Sequence, residues 1–244
     1  MVLGTKREVA MRLREIREFT GKITLKSGLH IGAGETEMRI GGTDNPVVKH
    51  PYTLEPYIPG SSLKGKVRAL LEMKSGLMRL TGGKPFSASD LRECKTDEER
   101  SEGKKILKLF GASGADEEQL KEIGPTRVSF ADAFLRDEWK KEVLEKQHAS
   151  FTEIKAENSI NRIKGTAEHP RFTERVPAGA EFAFCITLKV MEDEDEELEE
   201  YLLKGLRLLQ MDSLGGNGSR GYGRIAITFD NEEIQQRFEQ ADPF

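Results

Sequence analysis

Apolar and polar residues alternate over 19–25, with Phe19, Gly21, Ile23 and Leu25 set against Thr20, Lys22 and Thr24. A period of two predicts a half-buried strand. Over residues 60–74 the period becomes helical. Leu63, Val67, Leu70 and Leu71 fall at i, i+4, i+7 and i+8 and form one apolar stripe. Pro59 and Gly60 punctuate its start, and Ser61 or Ser62 is the expected cap. Alternation returns at 127–135, with Val128, Phe130 and Phe134 assigned to one face. It is clearest at 181–190, in Phe182, Phe184, Ile186, Leu188 and Val190. A second helix is predicted at about 196–211 from Leu198, Tyr201, Leu202 and Leu209. A last strand carries Ile225, Ile227 and Phe229.

The order strand, helix, strand, strand, helix, strand is the split βαβ, or ferredoxin-like, arrangement, so the expected fold class is α+β. By ordinary element lengths that core needs about 80–100 residues, whereas the chain has 244. The surplus falls into three insertions. They occupy 27–58, 76–125 (with a short helix near Lys104–Phe110) and 136–179. One domain over 18–244 is expected, preceded by a helical extension over 1–17. Long insertions on a small core usually carry binding or catalysis.

Hydrophobic residues make up 36% and charged residues 33%, which assigns much of the length to surface and little to core. No run of about 18 apolar residues exists, and Met1 to Phe19 lacks a signal-peptide core. No membrane partner is expected, and the expected location is cytoplasmic. Cys94 and Cys185 are isolated, which argues against a disulfide framework. Histidines 30, 50, 148 and 169 have no metal-ligand spacing with each other or with the cysteines. The net charge of −4 argues against a nucleic-acid partner only until its distribution is considered. Eight acidic side chains lie within 192–200, read as a solvated turn leading into a helix. The rest of the chain has 38 basic against 34 acidic residues, a net of +4.

Four segments carry candidate chemistry. The first insertion opens SGLHIGAGE (27–35) and continues RIGGTDNPVV (39–48), whose glycines permit close backbone approach or positive φ. Asp44 sits in that second stretch, either as a turn-forming residue or as a functional carboxylate. His30 is either a structural histidine of the glycine-rich turn or a general acid or base. Next comes YIPGSSLKGKVRALLE (57–72). Ser61, Lys64, Gly65 and Arg68 share the face opposite the apolar stripe, with Lys66 on the flank. Cations in a first turn oppose the helix dipole, and a bound phosphate would resolve the conflict. The alternative is a solvated basic face. The third insertion holds a predicted long hairpin about Gly165, basic through Lys155, Arg162, Lys164, Arg171 and Arg175, with Glu157, Glu168 and Glu174 interleaved. Such a hairpin is either an ordinary charged surface or a contact for a nucleic-acid backbone. Last is LGGNGSRGYGR (214–224). Its G-x-G-x-x-G spacing follows a helix and opens a strand, the reverse of the dinucleotide fingerprint, so that reading is rejected. The loop instead suits close approach to phosphate or sugar, with Arg220 and Arg224 as cations. Tyr222 is open to two readings, base stacking or core packing.

Taken together, GLHIGAG, GGTDNPVV, IPGSSLKGKVRALLE and LGGNGSRGYGR, in this order, resemble the RAMP-family backbone subunits of type III-A (Csm) CRISPR effector complexes. The resemblance runs from about residue 18 to 229. It implies a ferredoxin-like palm with a lid, a helical insertion and a thumb hairpin. It implies copies stacked in a filament along guide RNA, other type III-A effector subunits as partners, and cutting of guide-paired single-stranded target RNA at regular intervals. It places the catalytic role on Asp44 and implies a divalent metal, Mg²⁺ or Mn²⁺; two roles for Asp44 stay open, ligand of that metal or base that takes the 2′-hydroxyl proton. Guide contacts map to Lys64, Lys66 and Arg68, and further to His30, Arg162 and Arg220. Some relatives hold zinc, but this chain lacks the Cys/His set, so no structural zinc is expected. Asp132 is a second carboxylate candidate, for which a turn or capping role is the competing reading. Three functional alternatives stand beside the cutting subunit: a scaffold that binds guide and cuts nothing, a metal-independent guide-processing nuclease centred on His30, and an RRM-type binder. The last lacks an RNP motif.

Overall fold

The computed structural model describes residues 12–34, 45–112, 116–147, 150–191 and 197–244. Its elements run β1 (Leu13–Leu25), β2 (Tyr57–Ile58), α1 (Gly60–Lys74), α2 (Met78–Thr81), α3 (Asp97–Phe110), α4 (Glu117–Ile123), β3 (Val128–Phe130) and β4 (Ala133–Leu135). They continue with α5 (Asp137–Gln147), β5 (Glu153–Ile160), β6 (Ala167–Arg175), β7 (Glu181–Met191), α6 (Glu197–Met211), β8 (Ile225–Phe229) and α7 (Glu232–Gln240). The main sheet has the order β2-β4-β7-β1-β8, with β3 also beside β7. This is the expected ferredoxin-like arrangement, with the β1–β7 pair at its centre.

One face of the sheet is covered by helices. Phe19, Ile23 and Leu25 of β1 and Phe182, Phe184 and Ile186 of β7 join Leu63, Val67 and Leu71 of α1 and Leu202, Leu206 and Leu209 of α6 in one buried cluster. Burying side chains of this size stabilises the fold by about 1.5–3 kcal/mol each. The two helices approach closely at Gly205, where a Cβ would stand 2.7 Å from Val67 Cγ1. The other sheet face carries polar residues, among them Thr20, Lys22 and Thr24, and Lys22 pairs with Glu181 at 2.6 Å.

β1 begins earlier than predicted. Residues 13–17, part of the expected helical extension, are strand and pair with β7. Backbone pairing decides this, because the side chains of 13–16 are exposed on both faces and show no alternation to read. Residues 1–11 lie outside the described residues.

The strand predicted over 127–135 is two strands. Phe130 stands opposite Ile186, but Phe134 stands opposite Ala183, so one extra residue intervenes. The slip inverts the facing. Ala133 and Leu135 are buried, and Phe134 is exposed and stacks on Tyr57. Asp132 lies at this break, and its Oδ1 accepts a hydrogen bond from the Gly60 N–H at 2.8 Å. It therefore serves the start of α1, as its capping reading required. Ser61 and Ser62, the expected caps, lie inside the helix, and the flanking residue is Pro59.

The predicted short helix at 104–110 is the end of the 14-residue α3, which opens on Asp97, Glu98 and Glu99 and is capped by Thr96. Its first turns are too polar to carry an apolar stripe. In the third insertion α5 precedes the hairpin, and Trp139 packs on Phe151 at the hairpin's root. The hairpin is β5–β6, with Gly165 at φ +70 in its turn, as predicted. The Asn161 side-chain oxygen accepts from the Ile163 and Lys164 N–H groups and shapes the tip. Among the described residues, no helix is long and apolar enough to cross a membrane.

Candidate nucleic-acid interface

The first insertion is stitched to the root of the hairpin. Leu29 and Val176 exchange backbone hydrogen bonds of 2.9 and 2.8 Å, Gly32 bridges to Val47, and Asn45 lies parallel beside Thr173. Asp44 lies outside the described residues, but its neighbour Asn45 is seated on β6, its carbonyl accepting the Glu174 N–H at 3.1 Å. Glu174 is the hub. Its buried carboxylate accepts from the Val47 N–H at 2.9 Å, Lys49 Nζ at 2.6 Å and Thr152 Oγ1 at 2.7 Å. Burial alone would raise its pKa, but these donors prevail and hold it below its ordinary value. The Glu174 carbonyl lies 2.7 Å from His30 Nδ1. A carbonyl only accepts, so Nδ1 carries the hydrogen.

The glycine-rich loop between α6 and β8 closes against the same place. The Gly216 N–H donates to the His30 carbonyl and the Gly223 N–H to the Gly28 carbonyl, both at 2.9 Å. Gly215 and Gly223 have φ of +74 and +71. A Cβ on Gly223 would stand 1.9 Å from the Leu214 carbonyl oxygen. At these two positions glycine serves contact between the chain's own backbones. Tyr222 is fully buried, with its hydroxyl donating to Glu157 Oε1 at 3.0 Å and Lys155 and Arg175 over its ring. Its ring is enclosed between charged side chains and is not open to a base, so the base-stacking reading is set aside. Arg220 pairs with Glu157 Oε2 at 2.8 Å and bonds Asn217.

The basic residues of α1 separate into different environments. Arg68 Nε pairs with Glu72 Oε1 at 2.7 Å, and its guanidinium also reaches the Phe86 and Gly111 carbonyls. Glu72, 4% exposed, also accepts from the Phe86 N–H at 3.1 Å. Arg68 is thus part of the junction between α1 and the second insertion. Lys66 pairs with Asp212 at 2.7 Å, just before the glycine-rich loop. Lys64 has no carboxylate partner among the described residues. Burial, and then the Arg68 charge, lower its pKa. The start of α1 already has an anionic partner in Asp132.

The structure thus brings together His30, the residue following Asp44, the hairpin root and the glycine-rich loop. Lys66 lies toward that loop, whereas Arg162 stands exposed at the far end of the hairpin beside Ile163, which is 98% exposed. Sequence reasoning missed the roles of Lys49, Glu157 and Glu174. Along the chain they look like solvated charges, and only pairing across the fold distinguishes them. Among the described residues, no group of three or more His, Cys, Asp or Glu side chains is placed to hold a metal ion.

The family model for the RAMP superfamily matches residues 22–226. A protein of Methanocaldococcus jannaschii named CRISPR system Cms endoribonuclease Csm3 is 41% identical over 207 residues, covering 84% of this chain and 75% of the relative. A protein of the same name from Methanothermobacter thermautotrophicus is 38% identical over 239 residues, covering 93% and 89%. Among solved structures, one described as a Csm3–Csm4 subcomplex in the type III-A CRISPR-Cas interference complex matches with TM-score 0.52 and 30% identity. That match covers 88% of this chain and 76% of the other.

Proposed function

The chain belongs to the RAMP superfamily, and on that footing we propose that it is a guide-RNA-binding backbone subunit of a type III-A CRISPR effector and an endoribonuclease. Its substrate is target RNA paired to the guide, cut at regular intervals along a filament of copies. The observation that supports this reading is the seating of Asn45, next to Asp44, on the hairpin root, beside His30 and the glycine-rich loop. The residue that follows the candidate carboxylate, the root of a projecting hairpin and a backbone-lined loop meet there. Sequence specificity comes from guide pairing.

RNA carries its own nucleophile, the 2′-hydroxyl. Cutting needs that oxygen, the phosphorus and the leaving oxygen nearly in line, which paired A-form geometry prevents. The hairpin's role is to turn a nucleotide out of the duplex, so positioning supplies much of the rate. Asp44 either takes the 2′-hydroxyl proton or binds a divalent ion. Mg²⁺ is commonly held by one or two carboxylates together with substrate phosphates, so Asp44 suits it without a wider protein cage. Such an ion would neutralise charge developing at the phosphate. With end-labelled target RNA on the assembled complex, Mg²⁺ should give a regular ladder and excess EDTA none. A ladder that survives EDTA would remove the metal from the proposal.

Contact with phosphates makes guide binding salt-dependent, with a slope of about 0.7 per phosphate on a single strand. Lys64→Ala should lower that slope by about 0.7. Arg68→Gln, whose parent side chain is tied to Glu72, Phe86 and Gly111, should leave the slope unchanged and lower the melting temperature. Binding isotherms at several salt concentrations check both. A reduced slope for Arg68→Gln would return Arg68 to the RNA.

A further inference from the structure

Glu157 stands in an unusual place for a hairpin carboxylate. Its side chain is 19% exposed and lies among groups that would bind a phosphate. Arg220 reaches Oε2 at 2.8 Å, Lys155 reaches Oε1 at 3.3 Å, and the Tyr222 hydroxyl donates to Oε1 at 3.0 Å. Two cations and a hydroxyl converging on one anion make a cage of the kind that holds phosphate oxygens. Arg220 and Lys155 remain partly exposed, at 49% and 37%. The cage also joins two separate elements, since Lys155 and Glu157 belong to β5 and Arg220 and Tyr222 to the glycine-rich loop.

We propose that Glu157 is an internal phosphate surrogate. In the free chain its carboxylate fills the anion site between the glycine-rich loop and the hairpin, and a guide backbone phosphate displaces it when RNA binds. This rests on the functional reading above, and it adds a regulation that the reading lacks. The exchange trades one anion for another on the same donors, so the cage is never left unsatisfied. It also sets an affinity threshold. A lone phosphate competes poorly with a tethered carboxylate, whereas a strand bound at several other points supplies its phosphate at high effective concentration. The device therefore favours long guide RNA over short fragments and free phosphate.

The sign of one substitution separates this role from a structural one. Glu157→Gln keeps the shape and an acceptor for Tyr222 but removes the competing charge. Using the nucleic-acid-free full chain and a labelled guide RNA, Glu157→Gln should bind about tenfold tighter at low salt, with a salt slope steeper by about 0.7 for each cation freed. Glu157→Asp, which keeps the charge but shortens its reach, should fall between. Arg220→Ala in the Glu157→Gln background should cancel most of the gain. If Glu157 only braces the hairpin, Glu157→Gln and Glu157→Asp bind equally to or more weakly than wild type, and the proposal is overturned. Undiminished tight binding in the double variant would overturn it as well. Failure of the wild-type chain itself to bind guide would overturn the functional reading and this inference together.

Discussion

Replacing Asp44 by alanine is expected to abolish the target-RNA ladder while guide and target binding persist. Loss of a general base, or of a carboxylate that places a divalent ion, slows such a reaction by about 10²–10⁴-fold, or roughly 3–5 kcal/mol of transition-state stabilisation. The separation of cutting from binding follows from where the neighbouring side chains are anchored. The segment after Asp44 is held by Glu174 through Val47, Lys49 and the Asn45 carbonyl. Those bonds are made by Asn45, Val47, Lys49 and Glu174, and they are expected to persist when Asp44 is replaced. The measurement is cleavage of end-labelled RNA on the assembled complex, beside a gel-shift of the same samples. Full-rate cutting by Asp44→Ala would move the nuclease elsewhere in the complex and leave this chain a scaffold.

Among changes elsewhere in the chain, Gly223→Ala should be the most damaging. A Cβ there would stand 1.9 Å from the Leu214 carbonyl oxygen, at φ +71. The Leu214–Gly223 hydrogen bond that closes the loop would be lost, and with it the seat of the loop on Gly28. The expected cost is about 3–5 kcal/mol, a fall in melting temperature on the order of 10 °C for a chain of this size. Gly221→Ala is the control. It has φ +83 but nothing within 4 Å of the added atom, so it should cost only about 1 kcal/mol from backbone strain. Equal melting of the two variants would refute the close-approach argument.

The palm was legible in the sequence because its elements bury one face each. β7 and α6 came within a residue of the predicted limits for that reason. What was hidden lacked an apolar signature. Residues 13–18 of β1 are held by pairing while their side chains are largely exposed. α7 contributes only Phe238 to the buried side chains. The slip between β3 and β4 leaves no mark in composition. At the candidate interface, motif order led to His30, Asp44, Lys64 and Arg220. It could not show that Arg68 faces Glu72 or that Tyr222 is enclosed, because those partners lie four residues away on a buried side or 65 residues away on another element. The network around Glu174 was equally hidden. A glutamate on a basic hairpin reads as a solvated charge until Val47 and Lys49 are folded against it.

The extra residue between β3 and β4 ties together two features that otherwise look unrelated. It sets the phase that turns Phe134 outward and Ala133 and Leu135 inward, and it delivers the Asp132 carboxylate to the first N–H of α1. A deletion of one residue here would shift the frame of the strand. It would drive a phenylalanine into space shaped for alanine and leave the helix start without its acceptor, whatever residue types remained. Divergence within this fold can therefore rewrite most side chains around the break. It cannot alter the spacing, and chain length between Phe130 and Ala133 is the quantity that selection would guard.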